Sequence, residues 1–332
     1  MGKGTVTVAG IDVSKDVLDV ASQCEGSPGK SARFDNDAGG HAKLVAWLHK
    51  PRRPVRVVLE ATGTYSLDVA LALHVAADIE VMVANPRAVK QFAGALMQRA
   101  KTDVTAAVAC CEYASRMPFV AWQPPPAEVL ALRSVARRIA ALVVERTRER
   151  NRLHATTATA VATALVVNDI EVNLRHLTRR IDHLTTQARA LVAQHPTLQA
   201  ACARLCSVRG IATHSAVQLL PELLVLPDDM SVRQWVAHAG LDPRPYQSGS
   251  SVHKPPRLSK VGNAHIRRAL FMPALVAVQH DAHVKAFFDK LIARGKKPLQ
   301  AYVAVMRKLL HAIYGMLRTE TDFVSEKFHA IA

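Results

Sequence analysis

Cysteine is scarce in this 332-residue chain, and the five present, Cys24, Cys110, Cys111, Cys202 and Cys206, show no paired C-x-x-C spacing. A disulfide framework and a zinc site are therefore not expected, and the thiols read as buried groups in a reducing cytosol. No apolar run approaches the roughly 18 residues of a membrane span. The start Met-Gly-Lys-Gly-Thr-Val carries neither a secretory leader nor the Ser or Thr of an acylation signal. The expectation is a soluble, cytoplasmic protein with no membrane partner. Acid is also in short supply: 27 Asp and Glu stand against 43 Lys and Arg, a formal charge of +16. Such an excess favours a polyanionic partner, because clustered cations release counterions from phosphates on binding. A membrane surface or a ribosome would satisfy the charge equally.

What the chain does have is apolar mass, 49% of residues, enough for two domains with separate cores. The charge is split along it. Residues 1–120 hold 14 Lys and Arg against 12 Asp and Glu, and residues 121–332 hold 29 against 15. Acids are thus concentrated where a metal could be held, and cations where a nucleic-acid backbone could be gripped.

Residues 5–10 and 16–22 read as strands, with a third around Ala32–Phe34 and a turn at Gly26–Gly29 between them. Helical patterns at 40–49 and 67–76 alternate with β-rich segments at 55–59 and 80–83, which predicts an α/β layer domain. The run Pro124-Pro125-Pro126 ends it. Beyond lies a helical region in which Ile170, Leu174, Leu177, Ile181, Leu184, Ala188 and Leu191 alternate four and three apart, the seam of a coiled coil. That seam serves either a dimer, the preferred reading, or a helix packed on its own domain. Gly210-Ile211, between two helical stretches, fits a phosphate-holding helix-hairpin-helix or an ordinary helical hairpin. The expected division is 1–123, 124–196 as helical linker and coiled coil, and 197–332 as a mainly helical domain.

Asp12 lies just past the first expected strand, Glu60 ends the strand VRVVLE, and Asp103 opens a helix after Thr102. If the strands are neighbours, Asp12 and Glu60 converge at one sheet edge and could share Mg²⁺, which prefers oxygen ligands. In-line cleavage of a phosphodiester is helped by metal ions at the attacking and leaving oxygens. The plainer alternatives are a turn residue at Asp12 and a helix cap at Asp103.

The segments GIDVSK (10–15), LEATGTY (59–65), Asn85-Pro86, KTD (101–103), GLDPRPYQSGSSV (240–252) and LSKVGNAHIRRALFMPA (258–274) together resemble the DEDD transposases of the insertion-sequence-110 family, over nearly the whole chain and in order. The resemblance implies a ribonuclease-H-like (RuvC-like) N-terminal domain in which Asp12, Glu60 and Asp103 bind Mg²⁺. The family's fourth acid, three residues after Asp103, is here Ala106. Either water or another acid completes the shell, or the chain is a disabled form, the preferred reading; poor strand cleavage is therefore expected, since a displacement of about 1 Å at a reacting centre can cost on the order of 10²-fold.

The resemblance also assigns a serine nucleophile to Ser248. A serine oxygen needs activation, and His253, Lys254, Arg257 and Lys260 stand close in sequence to offset phosphate charge, with Arg244 just before. Without the resemblance, Ser-Gly-Ser-Ser reads equally as plain loop. Asn263 can cap a helix that carries Arg267 and Arg268, which are candidate phosphate contacts or simply a solvated basic face. Gly295-Lys296-Lys297 and Arg307-Lys308 add unspecific positive charge.

The function this implies is RNA-guided recombination of donor and target DNA through a serine–phosphate intermediate, with a structured bridge RNA as partner and homodimers assembling into tetramers at the nucleoid. Two rivals stand beside it. One is a metal-only RuvC-like nuclease or resolvase in which water attacks. The other is a non-catalytic RNA- and DNA-binding protein, which Ala106 makes credible.

Overall fold

The computed structural model describes residues 6–24, 27–61, 63, 65–97, 102–159, 161, 163–249 and 252–331, and only the backbone at 27, 28, 253 and 254. Thr62, Lys101, Ser250, Ser251 and Gly26 of the sequence motifs lie outside this set. The chain divides into two compact units, Met1–Pro124 and Pro125–Ala332.

Unit 1 is built on a five-stranded sheet of β1 (Thr7–Val13), β2 (Val17–Cys24), β3 (Ser27–Asp35), β4 (Val55–Glu60) and β5 (Ile79–Ala84) in the order β3-β2-β1-β4-β5. The two hairpin pairs, β1 with β2 and β2 with β3, are antiparallel, whereas β1, β4 and β5 run parallel. Parallel neighbours need crossovers, and these are α1 (Ala38–His49) and α2 (Leu67–His74). Strand alternation sends Ala9, Ile11 and Val13, with Val55, Val57 and Leu59, into a core with Leu44, Leu48 and Leu73 of those helices. The opposite face, with Val8 and Val58, packs on α3 (Pro86–Ala95) and α4 (Asp103–Arg116).

Helix α4 lies directly on β1, and Gly10 makes that possible. A Cβ at Gly10 would stand 2.1 Å from the Cys111 backbone nitrogen and 2.3 Å from the Ala107 carbonyl oxygen. The small residues Ala107, Cys110, Cys111 and Ala114 form the buried stripe of α4. The helix begins with a capping box in which the Thr102 hydroxyl accepts from the Thr105 N–H.

Unit 2 begins with two 31-residue helices, α5 (Ala127–Thr157) and α6 (Ala164–Gln194), which pair with each other. Leu132, Ile139 and Leu142 are buried on α5, and Leu177, Ile181 and Ala188 on α6. The heptad seam of α6 is thus matched by a helix of its own chain. Each such Leu or Ile, once buried, contributes roughly 1.5–3 kcal/mol. The same core continues through α7 (Pro196–Cys206), α8 (Thr213–Leu224), α9 (Val232–Ala239), α10 (Ala264–His280), α11 (Ala282–Ala293), α12 (Pro298–Thr319) and α13 (Ser325–Phe328). The only strands among the described residues of this unit are the antiparallel pair β6 (Pro243–Ser248) and β7 (Val252–Leu258).

The Gly210 turn is closed against helix α10: a Cβ there would meet the Pro273 carbonyl oxygen at 2.5 Å, and the Ile211 N–H is spent on Val208. This favours the ordinary helical hairpin over a backbone cradle for phosphate. No helix of the described residues is long and apolar enough to cross a membrane.

Candidate active site

Asp12 lies within β1 rather than past it, one residue before its end, and Glu60 is the last residue of β4. Because Ile11 stands opposite Leu59 on these parallel strands, Asp12 and Glu60 follow as the next adjacent positions. Both lie on the α4 face, out of phase with the Ile11 and Leu59 side chains that enter the other core. Burial and the negative charges of Glu60 and Asp12 push the Cys110 thiol up, so both carboxylates act on one point of α4 and Cys110 stays a neutral thiol.

Asp103 is the first residue of α4 and is exposed, with Thr102 as the cap in its stead. Ala106 is half-buried and lies one turn before Cys110, on the side of the helix that approaches the acid pair. The structure therefore brings Asp12 and Glu60 together and leaves Asp103 at the head of the helix above them. Among the described residues no three His, Cys, Asp or Glu side chains cluster closely enough to hold a metal ion.

A carboxylate that sequence reasoning missed sits on the same sheet face. Asp19 of β2 stands directly opposite Asp12, is 6% exposed, and accepts two hydrogen bonds of 3.0 Å from Arg33. Cross-strand like charges repel, and the Arg33 fork offsets this. The hydrogen bond and charge of Asp19 raise the Arg33 guanidinium, with a contribution from Asp103. Asp19, Ser31, Arg33 and Val104 line a groove of about 430 Å³, which Asp12 and Glu60 do not line. The signal available in the sequence was an acid inside the apolar run VLDVA.

Ser248 closes β6 at the tip of the β6–β7 arm, opposite Val252, and every residue of β6 is exposed. Gly249, at φ 58°, turns the chain in open space. Arg244 and Arg257 face each other across the arm and are exposed, as is Lys260. Like charges placed opposite on a bare hairpin cost stability unless an anion lies across them. His253 and Lys254 stand opposite Gln247 and Tyr246 by their backbones.

The base of the arm is tightly held. Ser259 N–H donates to Asp242, Lys260 N–H to Gly240, and Asn263 N–H to His238 at 2.6 Å. Asn263 caps α10 by accepting from the His265 N–H. Arg267 donates to the Ala239 carbonyl oxygen at 2.8 Å, so it ties α10 to this base, whereas Arg268 is exposed. Asn263 in turn donates at 2.7 Å to Glu222, a carboxylate 1% exposed within α8. Arg137 donates to both Glu222 oxygens at 2.6 and 3.0 Å, and Arg133 adds a third contact at 3.2 Å. Burial alone would raise the Glu222 carboxyl, but the Arg137 and Asn263 hydrogen bonds and the two arginine charges overcome it and hold the group at about 2. His238 and His265 nearby are pushed down, first by burial and then by the arginines. The sequence clue to this network was a lone acid in the apolar run LLPELLVL.

Residues 9–161 match the DEDD transposase model of the IS110 group, and residues 202–289 match "Transposase IS116/IS110/IS902 family". The chain is 28% identical to the pilin gene-inverting proteins of Moraxella bovis and Moraxella lacunata over 330 residues, covering 96% of this chain and 97% of each of them. It is also 27% identical over 161 residues to an uncharacterized protein of insertion element IS110 in Streptomyces coelicolor, covering 48% of this chain and 38% of that one.

Proposed function

Because the chain belongs to the IS110 family of DEDD transposases, and is thus a DNA transposase or recombinase, we propose that it exchanges donor and target DNA through a serine–phosphate intermediate at Ser248, guided by a structured RNA. The observation that carries the reading is that Asp12 and Glu60 directly follow the paired Ile11 and Leu59 at the end of two parallel strands, on the face covered by α4. Sheet order and the antiparallel β2 support a ribonuclease-H-like fold for unit 1. A three-part division, with α5 and α6 as a coiled-coil segment between the two catalytic parts, belongs to the same reading.

The donors fit Mg²⁺, an ion that protein sites commonly hold through one or two carboxylates while substrate phosphates and water fill the other positions. Asp12 and Glu60 would anchor it, and Asp103 would approach from the head of α4. When bound, the ion supplies charge to the phosphate oxygens during displacement. Ala106 offers no oxygen, so the anchor is one ligand short and cleavage is slow.

The chain's own part is as follows. Ser248 Oγ attacks phosphorus, its proton is lost to a base, the phosphorus–oxygen bond to the sugar breaks, and the sugar hydroxyl leaves with a proton. A hydroxyl of the other DNA reverses these steps, which conserves the bond without ATP. The open arm carries Ser248 to the phosphate, and Arg244, Arg257 and Lys260 offset the charge of the five-coordinate state. Base pairing of the guide selects sequence, while the protein reads shape and backbone. Acids of one subunit serve the serine of another, in dimers that join as tetramers on two DNAs.

A non-catalytic binding protein is the second reading, and Ala106 is the observation in its favour. A plasmid recombination assay with two DNA sites, guide RNA and Mg²⁺ separates them. Ala106→Asp is expected to raise the recombination rate at least tenfold, and Glu60→Gln to abolish it. An unchanged rate with Ala106→Asp, or binding without any cleavage in that variant, would overturn the proposal.

A further inference from the structure

On α6, His176, Arg179, Arg180 and His183 fall at i, i+3, i+4 and i+7, which places them on one face. Arg138 of α5 joins them, and these five together with Leu184 line a groove of about 390 Å³. None of these side chains pairs with a carboxylate among the described residues. Four of the eight other arginines of the two helices do: Arg133 and Arg137 meet Glu222, Arg152 meets Glu149, and Arg175 meets Glu171.

Composition points the same way. Helices α5 and α6 contain eleven arginines, six carboxylates and no lysine. The guanidinium fork matches phosphate oxygens two at a time, which an ammonium does not. Three unpaired guanidiniums along one groove repel one another, and a polyanion lying between them removes the repulsion. The stripe from His176 to His183 extends about 10 Å along the helix at ~1.5 Å per residue. A single phosphate is too short to reach all five, whereas a strand with a phosphate every ~3.4 Å of axial rise spans the stripe.

We infer that the α5–α6 groove is a phosphodiester-backbone site, separate from the Ser248 arm. The inference rests on the proposed recombinase only for its choice of a nucleic-acid ligand, which is either DNA or RNA.

The test is fluorescence anisotropy of the full chain against a labelled RNA stem-loop and a labelled DNA duplex of equal length, titrated from low to high KCl. The variant Arg138→Gln/Arg179→Gln/Arg180→Gln is compared with Lys43→Gln/Lys50→Gln/Lys90→Gln, which removes equal charge from exposed positions of unit 1. The groove variant is expected to lower the salt slope by about 2–3 and to weaken binding on the order of 10²-fold at 0.1 M salt for at least one ligand. Loss confined to RNA assigns the groove to the guide, loss confined to DNA to the substrate, and loss of both to the shared backbone. A slope and affinity no lower than those of the unit 1 variant for both ligands overturn the inference. Absence of recombination with the groove effect intact would sink the proposed function alone, so the two failures are distinguishable.

Discussion

Glu222→Gln should destabilise unit 2 by about 3 kcal/mol, and the loss should depend on pH. The side chain is isosteric, but glutamine brings an N–H against donors already aimed at the carboxylate, Arg137 on both oxygens and Arg133 and Asn263 on one of them. Depression of the carboxyl from 4.5 to about 2 corresponds to about 3 kcal/mol of stabilisation at ~1.36 kcal/mol per unit. Removal of one partner from a buried ion pair costs roughly 3–5 kcal/mol, and the lower end applies because Arg133 and Arg137 are 29% and 42% exposed and can be hydrated. In thermal unfolding of a unit this size the midpoint should fall by roughly 6–12 °C.

The sign of the pH effect follows from the direction of the shift. A carboxyl depressed in the folded state stabilises fully above its unfolded value near 4.5 and loses that contribution as pH falls toward 2. The difference between parent and variant should therefore be largest at pH 7, begin to shrink below about pH 5 and nearly vanish near pH 2. Urea melts followed by fluorescence of Trp235, the tryptophan of unit 2, report it. A difference under about 1 kcal/mol at pH 7, or one that stays constant from pH 7 to 3, would refute the reasoning.

Gly10→Val should lift α4 from β1, since even a Cβ there meets backbone at 2.1 Å; a cost of roughly 1–3 kcal/mol or more is expected by calorimetry, with recombination lost together with the position of Asp103. Ala106→Asp should strengthen Mg²⁺-dependent protection in a thermal-shift titration, whereas Glu60→Gln should remove it, and equal responses from the two variants would count against the acid site. Arg33→Gln should leave Asp19 buried without its fork, at a cost of about 1–3 kcal/mol visible in chemical denaturation.

The sheet of unit 1 was readable because its strands are short valine- and isoleucine-bearing runs separated by turns and helical patterns. Val55–Glu60 and Ile79–Ala84 extend the expected segments by one residue or two, and β3 runs from Ser27 where only Ala32–Phe34 carried a β pattern. Asp12 and Glu60 were found as acids at strand ends, but Asp19 was not, because its pairing with Arg33 depends on the β2–β3 register. In unit 2 the heptad pattern announced a partner for α6 and left its identity open, since one seam suits either a neighbouring helix or a second chain. The resemblance pointed to Ser248, but the β6–β7 pairing that carries it was not legible in the sequence. The β6 residues PRPYQS carry two prolines and no buried side, so neither alternation nor a core signal marks a strand. Glu222 was hidden among leucines, and only the fold brings Arg133, Arg137 and Asn263 to it.

Ser248 and the Asp12–Glu60 pair are expected to act on one scissile phosphate. The most direct measurement is peptide mapping by mass spectrometry of protein covalently trapped on nicked DNA with Mg²⁺, in the Ala106→Asp background. DNA should be attached to the peptide bearing Ser248, be gone in Ser248→Ala and in Asp12→Asn, and be reduced but present in Ser250→Ala and Ser251→Ala. An adduct that persists in Ser248→Ala, or that forms equally well in Asp12→Asn, would contradict it.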